Sequence, residues 1–205
     1  MITIADYINA FQASPLAPWQ ALRPWQLVAR SEQIVRELLA RLPIAHYHID
    51  AEVAVHRTAR VEPGAVLKGP LIIGPDCLIA TGAYLRGGCW VDAGCSLGPG
   101  VELKSSLMFA GSKLAHFNFV GDSIIGSQVN LEAGSIVCNY RNERPGKEVL
   151  VRVGGQLQAT GCEKFGALLG DRVRLGANAV LAPGALLLPE RVVGRLSLFD
   201  GEQMD

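Results

Sequence analysis

In the stretch "VAVHRTARVEPGAVLKGPLIIGPDCLIATGAYLRGGCWVDAGCSLGPGVEL", residues 53–103, an aliphatic residue recurs at every sixth position. The series is Val55, Val61, Leu67, Ile73, Ile79, Leu85, Val91, Leu97 and Leu103. Neither the helical period of about 3.6 residues nor the two-residue alternation of a half-buried strand produces this spacing. A sustained hexapeptide period is typical of a parallel β-helix, in which three short strands form one triangular coil of about 18 residues.

The coil length predicts which side chains stack. Leu67, Leu85 and Leu103 stand one coil apart, so they should form a column that faces the core at the strand separation of about 4.8 Å. Gly82 and Gly100 lie where the chain turns between strands, and glycine adopts the positive φ of a tight corner without steric cost. The sequence therefore predicts a solenoid with an aliphatic core and glycine corners.

The chain before the repeat has a different pattern. Trp25, Val28, Ile34 and Leu38 stand at helical spacing with charged residues between them, which predicts an amphipathic helix over residues 24–42. A proline near its start, Pro24, and one after its end, Pro43, suit those two boundaries. The predicted organisation is a helical segment, a β-helix domain and a short tail, over residues 1–46, 47–199 and 200–205.

The six-residue period breaks in two places. It slips between Ala115 and Phe119, and resumes at Phe119, Ile125, Leu131 and Val137. It is lost again across "CNYRNERPGKEV", residues 138–149, and returns as Leu169, Leu175, Leu181, Leu187 and Val193. Residues that leave the period of a solenoid form loops on its wall, and such loops on a rigid scaffold commonly carry function. We therefore expect the functional residues near these two breaks.

Bulk composition excludes several classes of protein. The 19 basic and 19 acidic side chains balance, so no overall charge favours nucleic acid or an anionic membrane as a partner. No apolar run approaches the roughly 20 residues that cross a bilayer, and the amino terminus lacks the basic start of a signal peptide. A cytoplasmic protein is expected. The five cysteines are odd in number and lack Cys-x-x-Cys spacing, which predicts reduced thiols and no metal site.

His116 lies in the first break, within "KLAHFNFVGD", residues 113–122. One hypothesis is a loop histidine whose ring bonds to a backbone carbonyl. The other is a general base, because imidazole titrates near neutral pH and can accept a proton from an attacking group. The residue type and its position leave both hypotheses open.

Three basic residues form a second pattern. Lys68, Arg86 and Lys104 stand one coil apart, and each follows an inward leucine, so their side chains should point outward one above another. Stacked like charges are unfavourable unless an anion lies between them. The side chains either splay into water or bind a phosphate, which pairs well with arginine and lysine.

These residues resemble, in order and spacing, the acetyltransferase half of the bifunctional sugar-1-phosphate nucleotidylyltransferase/acetyltransferases, whose bacterial form makes UDP-N-acetylglucosamine. The matching segments are "AYLRGG" (83–88), "VELKSS" (101–106), "LAHFNFVGDSIIGSQVNLEAGSIVCNY" (114–140) and "KFGALLGDRVRLGANAVLAPG" (164–184). The last of them looks closer to the archaeal-type members. "RPWQLVARSEQIV", residues 23–35, is similar to the Pro-Trp linker helix of that family.

The resemblance implies a mainly β fold, a left-handed parallel β-helix of hexapeptide repeats preceded by a short N-terminal α-helical segment. It implies an N-acetyltransferase that moves the acetyl group of acetyl-CoA to an amino-sugar 1-phosphate, glucosamine- or galactosamine-1-phosphate-like, without a metal. Independently of the resemblance, a homotrimer is expected, because a β-helix wall as apolar as the mean hydropathy of +0.25 indicates should bury one face against copies of itself. The chain offers no room before residue 24 for the nucleotide-binding domain, so a free-standing acetyltransferase half is expected.

The resemblance also assigns residues. His116 in "HFNFVGD" matches the general base, and Asn139 matches an asparagine that contacts the substrates beside it and could hold the oxyanion. The implied substrate-binding residues are Arg86 and Lys104 for the phosphate, together with Phe119, Asn130, Tyr140 and Lys147. The pantetheine arm of the co-substrate should lie along residues 160–190, where Arg172 and Arg174 could meet its phosphates.

Phe119 is the one departure from the motif. The family has a tyrosine there that contacts the sugar phosphate, and losing a hydroxyl contact costs on the order of 1 kcal/mol. The acceptor could therefore be different, or the activity weaker. A non-catalytic trimeric scaffold or sugar-phosphate sensor is one alternative, although the retained residues count against it. An acyltransferase for another sugar or acyl chain is a third possibility.

Overall fold

In the computed structural model, which describes residues 2–203, the hexapeptide repeats wind into three parallel sheets around one apolar core. In chain order the strands begin with β1 Tyr47–Asp50, β2 Val53–His56, β3 Arg60–Val61, β4 Val66–Leu67, β5 Leu71–Ile73, β6 Leu78–Ile79, β7 Tyr84–Arg86, β8 Cys89–Val91, β9 Ser96–Leu97, β10 Glu102–Lys104, β11 Leu107–Met108 and β12 Lys113–Leu114. They continue as β13 Phe119–Gly121, β14 Ile124–Ile125, β15 Asn130–Leu131, β16 Ile136–Val137, β17 Leu150–Val153, β18 Gln156–Ala159, β19 Ala167–Leu169, β20 Arg174–Leu175, β21 Val180–Leu181, β22 Ala185–Leu187, β23 Val192–Val193 and β24 Leu198–Phe199. The predicted mainly β, left-handed β-helix class is confirmed.

Every third strand joins the same sheet. Sheet A has the order β1-β2-β5-β8-β11-β14-β19-β22, sheet B β3-β6-β9-β12-β15-β20-β23, and sheet C β4-β7-β10-β13-β16-β21-β24. All neighbours are parallel except β1, which pairs antiparallel with β2 and so closes one end of sheet A. The remaining two strands, β17 and β18, form a separate antiparallel hairpin.

The aliphatic column lies where the period predicts. Leu67, Leu85 and Leu103 stand in register on sheet C, and the latter two are fully buried. Gly82 and Gly100 turn the corners with φ of +74° and +68°, as expected for residues without a Cβ. Dispersion contacts and exclusion of water along this core account for most of the stability of a solenoid.

The predicted position of the first break is wrong. The period shortens to five residues between Leu103 and Met108, and again between Val120 and Ile125. Both shortened corners join sheet C to sheet A, where one residue in the left-handed region, Ser105 or Asp122, completes the turn. Leu114 to Val120 keeps the full spacing of six, so Val120 is the inward residue, while Phe119 faces outward and is half-buried. His116 therefore lies on a regular corner between sheets B and C.

The second break is a true insertion. Residues 138–166 leave the coil after β16, form the β17–β18 hairpin and re-enter at β19. Val149, Val151 and Phe165 of this insertion are fully buried. Arg141 reaches the end of the solenoid, where its guanidinium bonds to the Asp200 carboxylate at 2.8 and 2.9 Å. Asp200 and Glu202, in the predicted tail, are thereby held in place, and residues 204 and 205 of that tail lie outside the described residues.

The N-terminal segment covers the outer face of sheet A. That face is apolar, and the segment packs on it through buried residues that include Ile8, Phe11, Leu16, Trp25, Val28, Ile34 and Leu38. The rings of Phe11 and Phe109 lie 6.2 Å apart, and those of Trp25 and Phe165 lie 6.0 Å apart. Sheet A is therefore closed to other partners, whereas the outer faces of sheets B and C remain open.

The helix predicted in the N-terminal segment is divided into two helices in the structure. The structure has α1 Pro24–Ala29 and α2 Ser31–Leu39, with a break at Arg30, rather than one helix over residues 24–42. The start of α2 packs directly on the corner at Gly87 and Gly88. The Ser31 hydroxyl donates to the Gly87 carbonyl at 3.2 Å, and a Cβ at Gly88 would come within 2.5 Å of the Glu32 nitrogen. The helix can approach the corner this closely because Gly88 has no Cβ.

Candidate active site

The outer face of sheet C carries two columns of side chains. Tyr84, Glu102 and Phe119 stand in register in one column, and Arg86, Lys104 and Gly121 stand in register in the other. Both columns flank inward aliphatic residues, which fixes the direction of their side chains. The face thus lines up basic, acidic and aromatic groups over three successive coils.

Carboxylates of the protein pair with two of the stacked basic residues. Arg86 bonds to Glu102 at 2.7 and 2.8 Å, and Lys104 bonds to both oxygens of Asp122 at 2.8 and 2.9 Å. The hypothesis that an external anion must relieve the repulsion is therefore wrong, because Glu102 and Asp122 already do so. The Arg86 side chain is 36% exposed and that of Lys104 is 17% exposed, so Arg86 is the more accessible of the two.

Asn139 and Phe119 meet above Gly121. A Cβ at Gly121 would lie 2.5 Å from the Asn139 Nδ2 and 2.9 Å from the Phe119 Cζ, so only glycine leaves room for both side chains. The Asn139 amide nitrogen donates to the Asp122 carboxylate. We call Lys104, Phe119, Gly121, Asp122 and Asn139 the Asp122 cluster.

Sequence reasoning missed both carboxylates. The signal that could have found them is an acidic residue about one coil after a basic one, as Glu102 follows Arg86 and Asp122 follows Lys104. In a solenoid such pairs lie on neighbouring strands, so their charges meet.

His116 is exposed on the corner between sheets B and C. Its backbone carbonyl accepts from the Gly134 nitrogen at 2.9 Å, and its ring makes no hydrogen bond to any of residues 2–203. Asn118 is buried behind it and donates to the Glu132 carbonyl at 2.8 Å, which holds the corner to the next coil. The structure thus gives no support for a ring bonded to a carbonyl, and presents a free imidazole on a rigid corner.

Other predicted residues lie on sheet B. Asn130 and Arg174 are neighbours on β15 and β20, and both line two shallow hollows of about 240 and 360 Å³. Arg172 bonds to Glu190 at 2.7 Å, whereas Arg174 has no ion-pair partner within residues 2–203. An arginine in this setting is available to an anion in the second hollow.

Two predicted residues lie in the insertion. The Lys147 ammonium donates to the carbonyls of Arg141 and Asn142, both at 3.0 Å, and it lies 5.2 Å from the centre of the Tyr140 ring. The described contacts of Lys147 therefore brace its own loop and orient Tyr140.

The cysteines take no part in these clusters. All five are free, and burial raises the pKa of the Cys89 thiol to about 11, which keeps it protonated. Residues 2–203 contain no group of three side chains placed to hold a metal ion. No helix among them is long and apolar enough to cross a bilayer.

One chain therefore does not bring all the predicted residues together. Arg86, Lys104, Phe119 and Asn139 share the outer face of sheet C. Asn130 and Arg174 lie on sheet B, and Arg172 lies on the corner that leads into β20. His116 stands at the corner between those two faces.

Sequence comparison identifies relatives of this chain among known proteins. The bifunctional sugar-1-phosphate nucleotidylyltransferase/acetyltransferase of Sulfurisphaera tokodaii is 31% identical over 178 residues, which cover 75% of this chain and 44% of that protein. The chain is a homologue of its acetyltransferase half. The bifunctional protein GlmU of Geobacillus sp. is 26% identical, with coverage of 97% of this chain and 51% of the relative. The uncharacterized acetyltransferase YaiX of Escherichia coli O6:K15:H31 is 34% identical over 144 residues, 70% of this chain and 61% of YaiX.

The sequence relatives confirm the resemblance. The chain spans about half the length of the curated relatives it matches, and the homology therefore concerns one half of the bifunctional enzymes. No protein-family model matches the chain. A solved hexapeptide transferase family protein from Anaplasma phagocytophilum aligns over 73% of this chain and 74% of its own, with 20% identity and a TM-score of 0.36. At that score the structural likeness carries no weight, so the assignment depends on the sequence relatives.

Proposed function

We propose that the chain is an acetyl-CoA-dependent N-acetyltransferase that acts on an amino-sugar 1-phosphate. The observation that carries the proposal is the free imidazole of His116 on a rigid corner, beside a sheet face that gathers Arg86, Lys104 and Asn139. The homologous enzymes are named for acetyl transfer and for sugar 1-phosphates, which supports the choice of both substrates.

His116 acts as the general base in this mechanism. Its imidazole takes a proton from the amino group of the sugar, and the nitrogen lone pair attacks the thioester carbonyl of acetyl-CoA. The tetrahedral intermediate then collapses, the carbon–sulfur bond breaks, and the thiolate leaves as CoA. The imidazolium returns its proton to the departing sulfur, so the base is regenerated. The net charge of the protein is therefore the same before and after one catalytic cycle.

Arg86 holds the sugar phosphate. Its partial exposure and its one-sided bond to a single oxygen of Glu102 leave N–H donors free for an anion. Phe119, two coils away on the same sheet face, has no hydroxyl to offer, so the phosphate depends more heavily on the guanidinium. Arg174 of sheet B, and Arg172 on the corner that leads into it, are the candidates for the phosphates of the co-substrate.

Arg86→Ala is expected to weaken binding of a sugar 1-phosphate about tenfold to a hundredfold, because a charge-assisted contact contributes about 1.5–3 kcal/mol. Binding of the same sugar without its phosphate should barely change. Lys68→Ala is the matched control, because Lys68 belongs to the same stack of basic residues as Arg86 but lies one coil further from His116. Its ammonium lies 5.1 Å from the centre of the Tyr84 ring. Calorimetric titration measures all three proteins. Equal losses for both sugars, or for both variants, would contradict a local phosphate site.

The site is completed by a second copy of the chain in a homotrimer. Since the N-terminal segment covers sheet A, we expect copies to contact each other through sheets B and C, and each of those faces carries part of the proposed site. Large apolar side chains are exposed along them and at their shared corner: Phe117 at 69%, Leu196 at 81% and Leu198 at 64%. Such exposed apolar surface is typical of an interface between copies.

The mass of the protein in solution tests this assembly. Light scattering should give three times the chain mass of 21.9 kDa at micromolar concentration. A stable monomer there would overturn a site shared between copies.

Phe119 favours one other function, a sugar-phosphate sensor that binds the same ligand without transferring an acetyl group. The two proposals differ in one measurement, the release of free CoA. The chain should release CoA from acetyl-CoA in the presence of glucosamine 1-phosphate or galactosamine 1-phosphate, and should release none with glucose 1-phosphate, which lacks the amine. Binding of the amino sugars without CoA release would support the sensor and contradict the enzyme.

A further inference from the structure

We propose that Asp122 is a positioning residue. It fixes the Asn139 carboxamide with its oxygen facing the site, and it thereby selects a sugar with an amino group as the ligand that receives the acetyl group. The inference rests on the proposed function for the identity of the sugar ligand. Its geometry is independent of that function, because it concerns three side chains of the Asp122 cluster: Lys104, Asp122 and Asn139.

The first step is the orientation of Asn139. One end of a carboxamide donates hydrogen bonds and the other accepts them, whereas an ionised carboxylate only accepts. Asp122 receives the Lys104 ammonium on both oxygens, so both of its oxygens act as hydrogen-bond acceptors. The end of Asn139 that faces Asp122 must therefore be the nitrogen, as the structure has it.

The second step is what remains on the other end. The Asn139 oxygen accepts no hydrogen bond from residues 2–203 and is not buried. Phe119 and Gly121 pack against the amide without offering a side-chain donor. The group that Asn139 presents to a ligand is therefore an acceptor. This oxygen accepts from an ammonium more strongly than from the neutral hydroxyl of glucose 1-phosphate, because the bond from an ammonium is charge-assisted. It leaves a developing oxyanion unsatisfied, so the expectation that Asn139 holds the oxyanion is replaced by contact with the amino group.

The third step is the rigidity of the arrangement. Asp122 is 7% exposed, its backbone nitrogen donates to the Lys104 carbonyl at 2.8 Å, and its φ of +46° belongs to a corner shortened by one residue. The carboxylate cannot rotate away without breaking the Lys104 pair. A buried carboxylate whose two oxygens both accept hydrogen bonds determines the orientation of a neighbouring amide.

The test compares binding of two sugars that differ only in the amine, glucosamine 1-phosphate and glucose 1-phosphate, by calorimetry without acetyl-CoA. The wild-type chain should bind the amino sugar about tenfold more tightly. Asp122→Asn should reduce this preference to within about twofold, because a neutral amide at 122 can accept as well as donate and so lets Asn139 turn over. Asn139→Asp should also lose binding, since two carboxylates then face each other.

The swapped variant, Asp122→Asn with Asn139→Asp, separates positioning from mere stability. The amide at 122 can then donate to the carboxylate at 139, whose second oxygen remains an acceptor for the amine. The preference should return to within about threefold of the wild type, a recovery that two independent structural losses would not give. Asp171→Asn is the matched control: Asp171 is also buried and accepts from the Asn9 and Ser127 nitrogens at 3.0 and 2.8 Å, but on another corner. It should keep the full preference.

The outcomes for this inference and for acetyl transfer are distinguishable. A chain that shows the predicted preferences but releases no CoA would contradict the proposed enzyme and leave the role of Asp122 standing. An Asp122→Asn variant that keeps the tenfold preference, or a swap that recovers nothing, would overturn the role of Asp122 even if the wild type transfers acetyl groups. Equal binding of both sugars by the wild type would also overturn it.

Discussion

Replacement of His116 by alanine is expected to lower the rate of acetyl transfer by about two to four orders of magnitude, while acetyl-CoA binding stays nearly unchanged. General-base catalysis contributes a factor of this size, and within residues 2–203 the His116 ring is held by no other hydrogen bond that its loss would disturb. The corner itself is kept by Asn118 and by the backbone bond to Gly134, so the variant should fold. Steady-state release of CoA and calorimetric titration with acetyl-CoA measure the two quantities.

His48→Ala is the matched control for this variant. His48 is also exposed, but it lies on β1 at the closed end of sheet A, where its Nε2 is 3.3 Å from the Arg57 Nη1. Its loss should leave turnover within a factor of about two. If His116→Ala retains wild-type turnover, His116 is only a surface residue of the corner, and the base must be sought elsewhere.

Arg141→Met is expected to cost about 3–5 kcal/mol of the free energy of unfolding, the largest loss of stability that we predict. The Arg141 side chain is 4% exposed, and it bonds to Asp200 at 2.8 Å, to Glu202 at 3.0 Å and to the Pro183 carbonyl at 3.0 Å. Methionine fills a similar volume but leaves the Asp200 carboxylate, 7% exposed, without its partner. Removing one member of a buried ion pair has a cost of this size because the other charge stays desolvated.

The midpoint of chemical denaturation measures this loss, at equal protein concentration because association shifts it. Arg172→Met is the matched control, since its pair with Glu190 is equally short at 2.7 Å but half exposed or more on both sides. Exposed pairs contribute about 0–1 kcal/mol. A similar small loss for both variants would show that the insertion does not depend on Arg141.

The same pair predicts how stability depends on pH. The hydrogen bond from Arg141 holds the pKa of the Asp200 carboxyl below its ordinary value. The folded pKa is thus lower than the unfolded one, so this contribution is fully present above about pH 4 and is lost as pH falls through the folded value. In the Arg141→Met protein this acid-dependent loss should disappear, because the carboxylate is no longer stabilised in the folded state.

The repeat itself was predictable, because a sustained six-residue period is typical of a parallel β-helix and can be read from neighbouring residues in the sequence. Residues such as Leu85 and Leu103 are placed by spacing alone, and the outward positions of Arg86 and Lys104 follow from them. The five-residue corners were not predictable. A turn completed by Ser105 or Asp122 in the left-handed region leaves no strong signature, so the break was predicted between β12 and β13, between the two corners that are actually shortened.

Contacts between distant parts of the chain account for the rest of the differences. Arg141 and Asp200 are 59 residues apart, and no periodicity links an insertion to the end of the solenoid. The start of α2 at Ser31 likewise packs on Gly87 and Gly88, far along the chain. At the site, motif matching assigned Asn139 but could not fix the direction of its amide, which depends on Asp122 across one coil.

Transfer of an isotope-labelled acetyl group from acetyl-CoA to the nitrogen of glucosamine 1-phosphate or galactosamine 1-phosphate shows whether the chain is an N-acetyltransferase of amino-sugar phosphates. The wild-type chain should form the N-acetyl sugar phosphate, identified by the labelled amide in its NMR spectrum, in amounts equal to the CoA released, and the His116→Ala protein should form almost none. CoA released without an N-acetyl sugar, or no label on either sugar from the wild-type chain, would contradict the account.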